Sequence, residues 1–527
     1  MGSQVDSGRV VDALLAMRRK GVQIWTENGR LHYQSPKGAV TADEMEQIRA
    51  LKAEIVEFLQ QSRSSMASES PLVPRLPSDR VPLTFVQQLH RNMLPAKKNR
   101  SMRMDATGVR ICGCLDIESI RRAFVELVRR HEPLRTRIVS ANGVPMQQID
   151  KGRDYDLEII DLTAVPSIDR EIAAKVIVGR FVSEPIDLDV GPLFGAKLLK
   201  LEANDYVLAI AMEHIISDAA SVGILWRDIW TLYAQSSQKM PFALPAILIQ
   251  FADYAVWQQK TSQLWLKKHD AYWSKCLAGA KRIRLFEDKR MNRRARPDWG
   301  SISIKFDSTL TSMLRELGRQ ERTTLAATVF TAYIACISRW TEESDLLIPF
   351  MTMGREKPAL ENTVGYFAST LLVRVRRCSD DSLLDLLRRV RTAYATAFEH
   401  DDFGRIAARV PRPEFVGNPS FNWFPDNFSR TAAGYTPNVT VDGLGQAIRL
   451  RPFAFEIESF GDFDDLEWDN EPELALADTK DGIVGSLSYH IDRVDLDSVE
   501  RFERNIKYCA ERLVREPKVR VTDLTCS

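Results

Sequence analysis

The chain has 527 residues, of which 44% are hydrophobic and 27% charged, and its formal net charge is +1 at pH 7. This length predicts two or three globular units, and the near-zero charge gives no argument for nucleic acid or for an anionic membrane surface as a partner. No apolar run approaches the roughly 20 residues of a membrane-spanning helix, and Asp6 and Arg9 stand where a signal peptide would be apolar, so a cytoplasmic protein is expected.

The first 60 residues predict a small unit of the order helix, strand, strand, helix. Apolar residues recur at helical spacing from Val10 to Arg19, and Asn28-Gly29 between two short strand-like runs is a strong hairpin signal. Thr41-Ala42-Asp43-Glu44 is a capping box that opens the second helix. Pro36-Lys37-Gly38 stands ahead of it and Leu51-Lys52-Ala53-Glu54 within it.

With these strings, residues 1–61 closely resemble the β-hairpin docking domains, of the TubC type, at the N-termini of synthetase subunits. The resemblance implies β-strand addition, in which the hairpin edge receives a short linear motif from the C-terminus of an upstream subunit. The residues predicted to take part in docking are Arg18, Arg19, Lys20, Ile24, Trp25, Arg30 and Lys37. The positive charges of the five arginines and lysines among them suit an acidic tail, although scattered charge is also typical of a solvated face.

Residues 62–79 are rich in Ser and Pro and poor in apolar residues, which predicts a flexible or partly extended linker. Such a linker would let a carrier protein held by the docked partner reach a reaction site further along the chain. The seven cysteines are scattered, and Cys112-x-Cys114 has neither a second pair nor a nearby His. We therefore expect no metal site and no disulfide framework.

A histidine and an aspartate stand four residues apart in Glu213-His214-Ile215-Ile216-Ser217-Asp218-Ala219. The preceding run, Tyr206 to Ala211, predicts a buried strand, and Ala220 to Tyr233 predicts a helix. His214 would then lie on a strand-to-helix connection, where an imidazole can face a cavity. The pattern alone favours a structural interpretation, in which Asp218 only caps the helix and His214 is a half-buried polar residue whose hydrogen bonds are satisfied.

Further strings stand in order along the chain, namely Leu83–Gln88, Arg130–Thr136, Phe251–Trp257, Gly354-Arg355, Val364–Leu371 and Asn418–Asn422. From about Val81 to Leu524 the sequence resembles the condensation domains of nonribosomal peptide synthetases. That family's core motif is two histidines, three variable residues, then Asp-Gly, and here Glu213 replaces the first histidine and Ala219 the glycine. The second histidine is His214. Alanine at 219 is harmless if its φ is negative and strained if φ is positive.

The resemblance implies an α/β (α+β) fold in which the docking domain precedes two pseudo-symmetric lobes of the chloramphenicol-acetyltransferase type, which form a V around a central channel. Residues 80–242 would form the first lobe and residues 243–527 the second. Strand and helix patterns alternate through both halves, as such layering requires.

The same resemblance assigns roles at the site. His214 would be the catalytic residue in the middle of the channel, where a neutral imidazole can take a proton near pH 7. Asp218 would be a structural anchor with Arg355 as its ion-pair partner. Glu213, Ser369 and Asn422 would line the channel or contact a substrate, although for Ser369 and Asn422 capping or loop stabilisation is an equal alternative. Tyr366 and Phe367 are interpreted as packing residues.

The leading functional hypothesis is an acyltransferase that moves a thioester-bound acyl chain from an acyl or peptidyl carrier protein to an amine or hydroxyl acceptor. The phosphopantetheine arm of that carrier would be the only cofactor, and none would be bound directly. The acceptor could be a small molecule or carrier-bound. The chain shows neither the phosphate loop of an adenylating enzyme nor a carrier attachment motif, so a free-standing condensation enzyme is expected. The alternatives are a catalytically silent module that recruits partner enzymes, and an epimerising relative.

Overall fold

The computed structural model describes residues 71–93, 100–101, 105–151, 155–286, 299–407, 417–424, 440–441, 448–455, 471–491 and 493–526, and before them residues 23–27, 30–34, 52, 55 and 56. The chain divides into two compact units, Met1–Pro71 and Leu72–Ser527. The lobe boundary expected between residues 242 and 243 stays a prediction.

The first unit contains the predicted hairpin. Strands β1 (Gln23–Glu27) and β2 (Arg30–Gln34) pair antiparallel, with Glu27 opposite Arg30. Ile24 and Trp25 therefore lie in β1, and Arg30 opens β2. Four of the predicted docking residues lie outside the described residues, namely Arg18, Arg19, Lys20 and Lys37. The predicted helix from Val10 to Arg19 also lies outside them, as does most of the helix predicted from Thr41.

The described elements of the second unit alternate between strands and helices, as the sequence predicted. The strands are β3 (Arg80–Pro82), β4 (Arg100–Ser101), β5 (Asp105–Cys112), β6 (Thr136–Ala141), β7 (Val144–Ile149), β8 (Glu158–Asp161), β9 (Ile186–Asp187), β10 (Phe194–Glu202), β11 (Asp205–Met212), β12 (Trp299–Phe306), β13 (Asp345–Thr352), β14 (Ser369–Arg376), β15 (Ser420–Phe424), β16 (Thr440–Val441), β17 (Ile448–Pro452), β18 (Glu473–Thr479) and β19 (Gly482–His490). The α-helices are α1 (Phe85–Met93), α2 (Ile117–Arg130), α3 (Arg170–Ser183), α4 (Ala219–Ser237), α5 (Phe251–Leu277), α6 (Ser308–Gln320), α7 (Leu325–Thr341), α8 (Leu383–Glu399), α9 (Phe403–Ala407) and α10 (Leu496–Arg515).

Two six-stranded mixed sheets organise this unit, and they confirm the predicted α/β class. The first has the strand order β16-β17-β5-β11-β10-β8, and the second has the order β12-β19-β18-β15-β13-β14. Two smaller sheets, β3-β7-β6 and β4-β9, accompany them. Among the described helices, none combines the length and the apolar character that crossing a bilayer requires.

Each large sheet has its own apolar core. Helices α2 and α4 pack with the first sheet around Phe124, Leu208 and Trp226. Helices α7, α8 and α10 pack with the second sheet around Phe330 and Phe502. Residues 326–338 of α7 are all buried, as expected for a helix that is apolar on every side.

Several contacts among the described residues of this unit link its first half to its second, and two of them involve strand pairing and apolar packing. Strand β17 pairs antiparallel with β5 of the first sheet, although it comes from the second half of the chain. In addition, Ala219 and Ala220 at the start of α4 pack against Phe424, Ala475 and Ala477 of the second sheet. The start of α4, which follows the predicted motif directly, is therefore in contact with both halves.

Candidate active site

The candidate site begins where β11 ends, near the middle of the first sheet. Alternate residues of β11 pack into two separate apolar clusters, Leu208, Ile210 and Met212 in one and Val207, Ala209 and Ala211 in the other. With both faces covered, the strand is apolar and buried along nearly its whole length. After Met212 come Glu213, a 3-10 turn over His214–Ile216, and Asp218, which caps α4. The sheet thus fixes the position of the whole motif.

His214 is held by a carboxylate from the neighbouring strand. Its Nδ1–H donates to Oδ2 of Asp105 at 2.9 Å, since a carboxylate can only accept. Asp105 opens β5 directly opposite Met212, and its carboxylate accepts a second hydrogen bond from the hydroxyl of Ser217. The His214 side chain keeps 23% of its exposure. Nδ1 is thus the ring nitrogen that Asp105 engages, and Nε2 is the one that this hydrogen bond leaves available.

The charges around His214 favour its protonated form. Burial opposes the positive charge, but the negative charge of Asp105 and the hydrogen bond that it accepts, with contributions from Glu213 and Asp218, raise the pKa of His214 to about 9. At neutral pH the ring is an imidazolium. The expectation of a neutral imidazole near pH 7 is wrong for the resting site, because it assumed the ordinary pKa of histidine and did not anticipate Asp105.

Asp218 and Arg355 form a buried ion pair, and the structure brings them together as the resemblance implied. The guanidinium donates through both Nη atoms to the two carboxylate oxygens, at 2.7 and 2.9 Å. Asp218 also accepts from the N–H and hydroxyl of Ser221 and from the backbone N–H groups of Phe367 and Ala368. The pair therefore fixes the start of α4 to the segment that leads into β14. Breaking it from one side would leave a buried charge without its partner.

Two small residues shape the backbone beside this pair. Gly354 has a φ of +60°, and a Cβ added there would lie 1.8 Å from the carbonyl oxygen of Phe367. Only glycine fits such a position. Ala219 is the first residue of α4, so its φ is in the negative, helical range. The alanine that replaces the glycine of the family motif therefore introduces no backbone strain.

Glu213 points away from solvent, and its side chain is 0% exposed. The Ile215 N–H donates to one of its oxygens, and Nε2 of His90 lies 2.9 Å from the other. Tyr366 packs against this group, with its ring centroid 4.3 Å from that of His214. Sequence reasoning missed His90 and Asp105. The signal that the sequence offered for His90 was its position two residues after the string Leu83–Gln88, on the helix that begins within that string.

Ser369 and Asn422 lie on strands of the second sheet. Ser369 opens β14, and its hydroxyl donates to Oδ1 of Asp401 at 3.3 Å. Burial and the neighbouring carboxylate of Glu356 raise the pKa of Asp401 well above its usual range. Asn422 is 1% exposed, and its Oδ1 has no hydrogen-bond partner among the described residues. Contact of Glu213, Ser369 or Asn422 with a substrate stays a prediction.

Comparison with known families gives two matches along the chain. Residues 78–526 match the family described as Condensation domain, and residues 10–61 match the TubC N-terminal docking domain.

Curated relatives are similar to this chain over two thirds of its length or more. One component of the linear gramicidin synthase of Brevibacillus parabrevis is 29% identical over 453 residues, which cover 84% of this chain and 8% of that protein. The phosphinothricin tripeptide synthetase PhsC of Streptomyces viridochromogenes is 32% identical over 359 residues, which cover 67% of this chain and 33% of that protein. The chain thus spans only a small part of the length of these relatives.

Solved structures share the fold. The X-domain from teicoplanin biosynthesis, solved in complex with OxyB, superposes with a TM-score of 0.73 at 21% identity, over 87% of this chain and 98% of that chain. The EpoB cyclization-docking bidomain of Sorangium cellulosum superposes with a TM-score of 0.65 at 17% identity, over 98% of this chain and 100% of that chain. Both structures belong to proteins of the chloramphenicol-acetyltransferase-like fold.

Proposed function

This chain belongs to the condensation-domain family and carries a docking domain of the TubC type, and from that premise we propose that it is an acyltransferase. It takes an acyl chain from a thioester on a carrier protein and transfers it to an amine or hydroxyl acceptor, which forms an amide or an ester. The observation that carries the proposal is the hydrogen bond from Nδ1 of His214 to Asp105. It orients Nε2 for proton transfer at a partly exposed position.

The proton balance of the reaction fits an imidazolium at rest. The acyl carbon exchanges its bond to sulfur for a bond to nitrogen or oxygen, and the acceptor loses the proton that the released thiol gains. His214 can give its proton to the departing sulfur and take the acceptor's proton in exchange, which returns the ring to its resting state. Its positive charge also stabilises the negative charge that develops on the carbonyl oxygen. Asp105 stabilises the charged ring and fixes its orientation.

Holding the thioester donor close to the acceptor supplies another part of the rate of acyl transfer. A carrier protein delivers the thioester on its phosphopantetheine arm, so the donor is tethered and not free in solution. We assign the β1–β2 hairpin as the docking place for the C-terminal motif of an upstream subunit, which would bring that carrier close. The residues predicted for this contact include Arg18, Arg30 and Lys37, whose charges suit an acidic tail.

Intact mass spectrometry of an acyl-loaded carrier protein tests the transfer. The carrier is incubated with this chain and a panel of amine and hydroxyl acceptors, alongside His214→Ala and Asp105→Asn. We expect acyl loss with formation of a matching product, slowed by about 100-fold or more in His214→Ala. Lys480→Ala, in an exposed turn between β18 and β19, serves as the control that should retain full activity.

The docking proposal needs its own measurement. Fluorescence anisotropy should show saturable binding of an acidic peptide taken from the C-terminus of an upstream synthetase. This binding should weaken as salt is raised, since exposed charges are screened. Arg30→Glu should weaken it, and a peptide of scrambled sequence should not bind. A peptide affinity that changes neither with salt concentration nor in Arg30→Glu would contradict a role for these charges.

A catalytically silent module that recruits partner enzymes is the second candidate. It is favoured by Glu213, because an acid replaces the first histidine of the family motif and lies buried away from solvent. The solved complex of the X-domain with OxyB from teicoplanin biosynthesis offers a precedent for a protein of this fold that forms a complex with a second protein. No transfer with any acceptor, together with tight peptide binding at the hairpin, would support this candidate over the acyltransferase.

A further inference from the structure

Tyr366 lies directly against the candidate catalytic histidine. The centroid of its ring is 4.3 Å from that of His214, at an interplanar angle of 45°. The His214 side chain keeps 23% of its exposure, and Tyr366 is half-buried. Because the two rings are in contact and each keeps part of its surface exposed, a molecule that reaches His214 also reaches Tyr366. The packing role predicted for Tyr366 accounts for its ring and leaves its hydroxyl unexplained.

The fold does not use the hydroxyl of Tyr366. Among the described residues this hydroxyl has no hydrogen-bond partner, and unlike the hydroxyl of Tyr333 it is not shut off from solvent. Burial and the negative charges of Asp105, Glu213 and Asp218 raise the pKa of Tyr366 above its usual value. The phenol therefore keeps its proton near neutral pH and is available as a hydrogen-bond donor.

The buried ion pair holds the backbone on both sides of Tyr366. The carbonyl oxygen of Gly365 accepts a hydrogen bond from Arg355 at 3.3 Å. The N–H of Phe367 donates to Asp218 at 3.0 Å. These bonds involve main-chain atoms of the neighbouring residues, so they do not depend on the side chain of Tyr366. The position of the phenol is thus fixed by the same ion pair that fixes the start of α4.

Acyl transfer needs a donor for the carbonyl oxygen of the thioester, because negative charge develops there in the transition state. The carboxylates around His214 can only accept hydrogen bonds. Several nearby donors already serve those carboxylates, namely the hydroxyl of Ser217 and the backbone N–H groups of Ile215, Phe367 and Ala368. The phenol of Tyr366, by contrast, is uncommitted and lies in contact with the histidine.

We propose that the hydroxyl of Tyr366 is a further catalytic group, which donates a hydrogen bond to the carbonyl oxygen of the thioester as negative charge develops on it. The phenol keeps its proton throughout. The bond to sulfur still breaks as the bond to the acceptor forms, and the protons are still exchanged at His214. The donation adds to the stabilisation by the positive charge of His214. The proposal rests on the proposed acyl transfer and assigns a donor to its carbonyl oxygen.

Two variants separate the hydroxyl of Tyr366 from its ring. Tyr366→Phe removes one oxygen atom and keeps the ring against His214, whereas Tyr366→Leu removes both. Tyr508→Phe is the matched control, because Tyr508 lies on α10 against the core of the second sheet and its hydroxyl is 3.3 Å from that of Thr525. Each variant is compared with the unmodified chain in the assay with acyl-loaded carrier protein.

We expect Tyr366→Phe to lower kcat by about tenfold to 100-fold, with KM for the loaded carrier nearly unchanged, because the hydrogen bond strengthens only as the transition state forms. Its melting temperature should match that of the unmodified chain, since the hydroxyl has no partner among the described residues. Tyr508→Phe should retain full activity. Full activity in Tyr366→Phe, with a loss in Tyr366→Leu, would mean that only the packing of the ring matters and would overturn the proposal.

A readout without turnover separates this proposal from the proposed function. The carrier protein is loaded with a stable analogue in which an amide replaces the thioester and the acyl carbonyl is labelled with 13C. A hydrogen bond to that oxygen moves the carbonyl resonance downfield, so the shift seen with the unmodified chain should be smaller with Tyr366→Phe and unchanged with Tyr508→Phe. This pattern without any turnover in the unmodified chain would refute the acyl transfer and retain the contact. Equal carbonyl shifts with the unmodified chain and Tyr366→Phe, with equal kcat where turnover occurs, would overturn the role of Tyr366.

Discussion

Replacing Asp105 by asparagine tests the electrostatic account of the site. The variant removes the nearest negative charge from His214 while a side chain of the same shape remains. One pKa unit corresponds to about 1.4 kcal/mol, so the rise from 6.5 to about 9 represents about 3 kcal/mol of preference for the charged ring. Burial opposes that charge, so the pKa of His214 should fall by about two units or more in the variant.

The assay is an NMR titration of the histidine Cε1–H groups. The chain has seven histidines, and His214→Gln identifies the signal of His214. Asp161→Asn, at the exposed end of β8, is the matched control that removes one carboxylate far from the pair. If Asp105→Asn and Asp161→Asn leave the His214 midpoint equally high, Asp105 is not the cause of the raised pKa.

The same shift makes a prediction for stability. Because the pKa of His214 is raised on folding, its contribution is fully present below about pH 6.5 and is lost as the pH rises through about 9. Asp105→Asn should therefore be less stable than the unmodified chain by up to about 3 kcal/mol at pH 6, and this difference should shrink towards pH 9.5. Urea unfolding at the two pH values measures it. A difference that is the same at both would contradict the reasoning.

Two further predictions concern the ion pair and its backbone. Asp218→Ala and Arg355→Ala should each lower the free energy of unfolding, measured in urea, by about 3–5 kcal/mol, because each leaves a buried charge without its ion-pair partner. The double variant should lower it by less than the sum of the two single effects. Strictly additive effects would mean that the two residues do not act as a pair. Gly354→Ala should unfold at a clearly lower temperature than Gly143→Ala. Both glycines have positive φ, but an added Cβ would collide with backbone atoms at Gly354 and has nothing within 4 Å at Gly143. Equal melting temperatures would rule out the steric explanation.

The sequence allowed the local elements of the site to be predicted because their signals are local. The apolar run before Glu213 became β11, and the helix predicted from Ala220 became α4, one residue longer at its start. The Asn28-Gly29 signal likewise lies between two paired strands. These patterns depend on neighbouring residues, so one sequence is enough to reveal them.

Contacts between remote segments could not be predicted in the same way. Asp105 reaches His214 only because β5 lies beside β11 with Asp105 opposite Met212, and strand order and register leave no trace in a single sequence. His90 reaches Glu213 from a third element, α1. The neutral imidazole expected for His214 did not take Asp105 into account for this reason, since Asp105 lies 109 residues away in the chain.

The pairing of β17 with β5 has a consequence for how the protein is made. Strand β5 is synthesised early, but its partner at that edge, beginning at Ile448, leaves the ribosome only when most of the chain has been translated. Until then β5 presents an unpaired edge to other nascent chains, and such edges promote aggregation. We therefore expect the first large sheet to be completed only after strands β12 to β15 of the second have been translated. A fragment that ends before residue 448 should be poorly soluble.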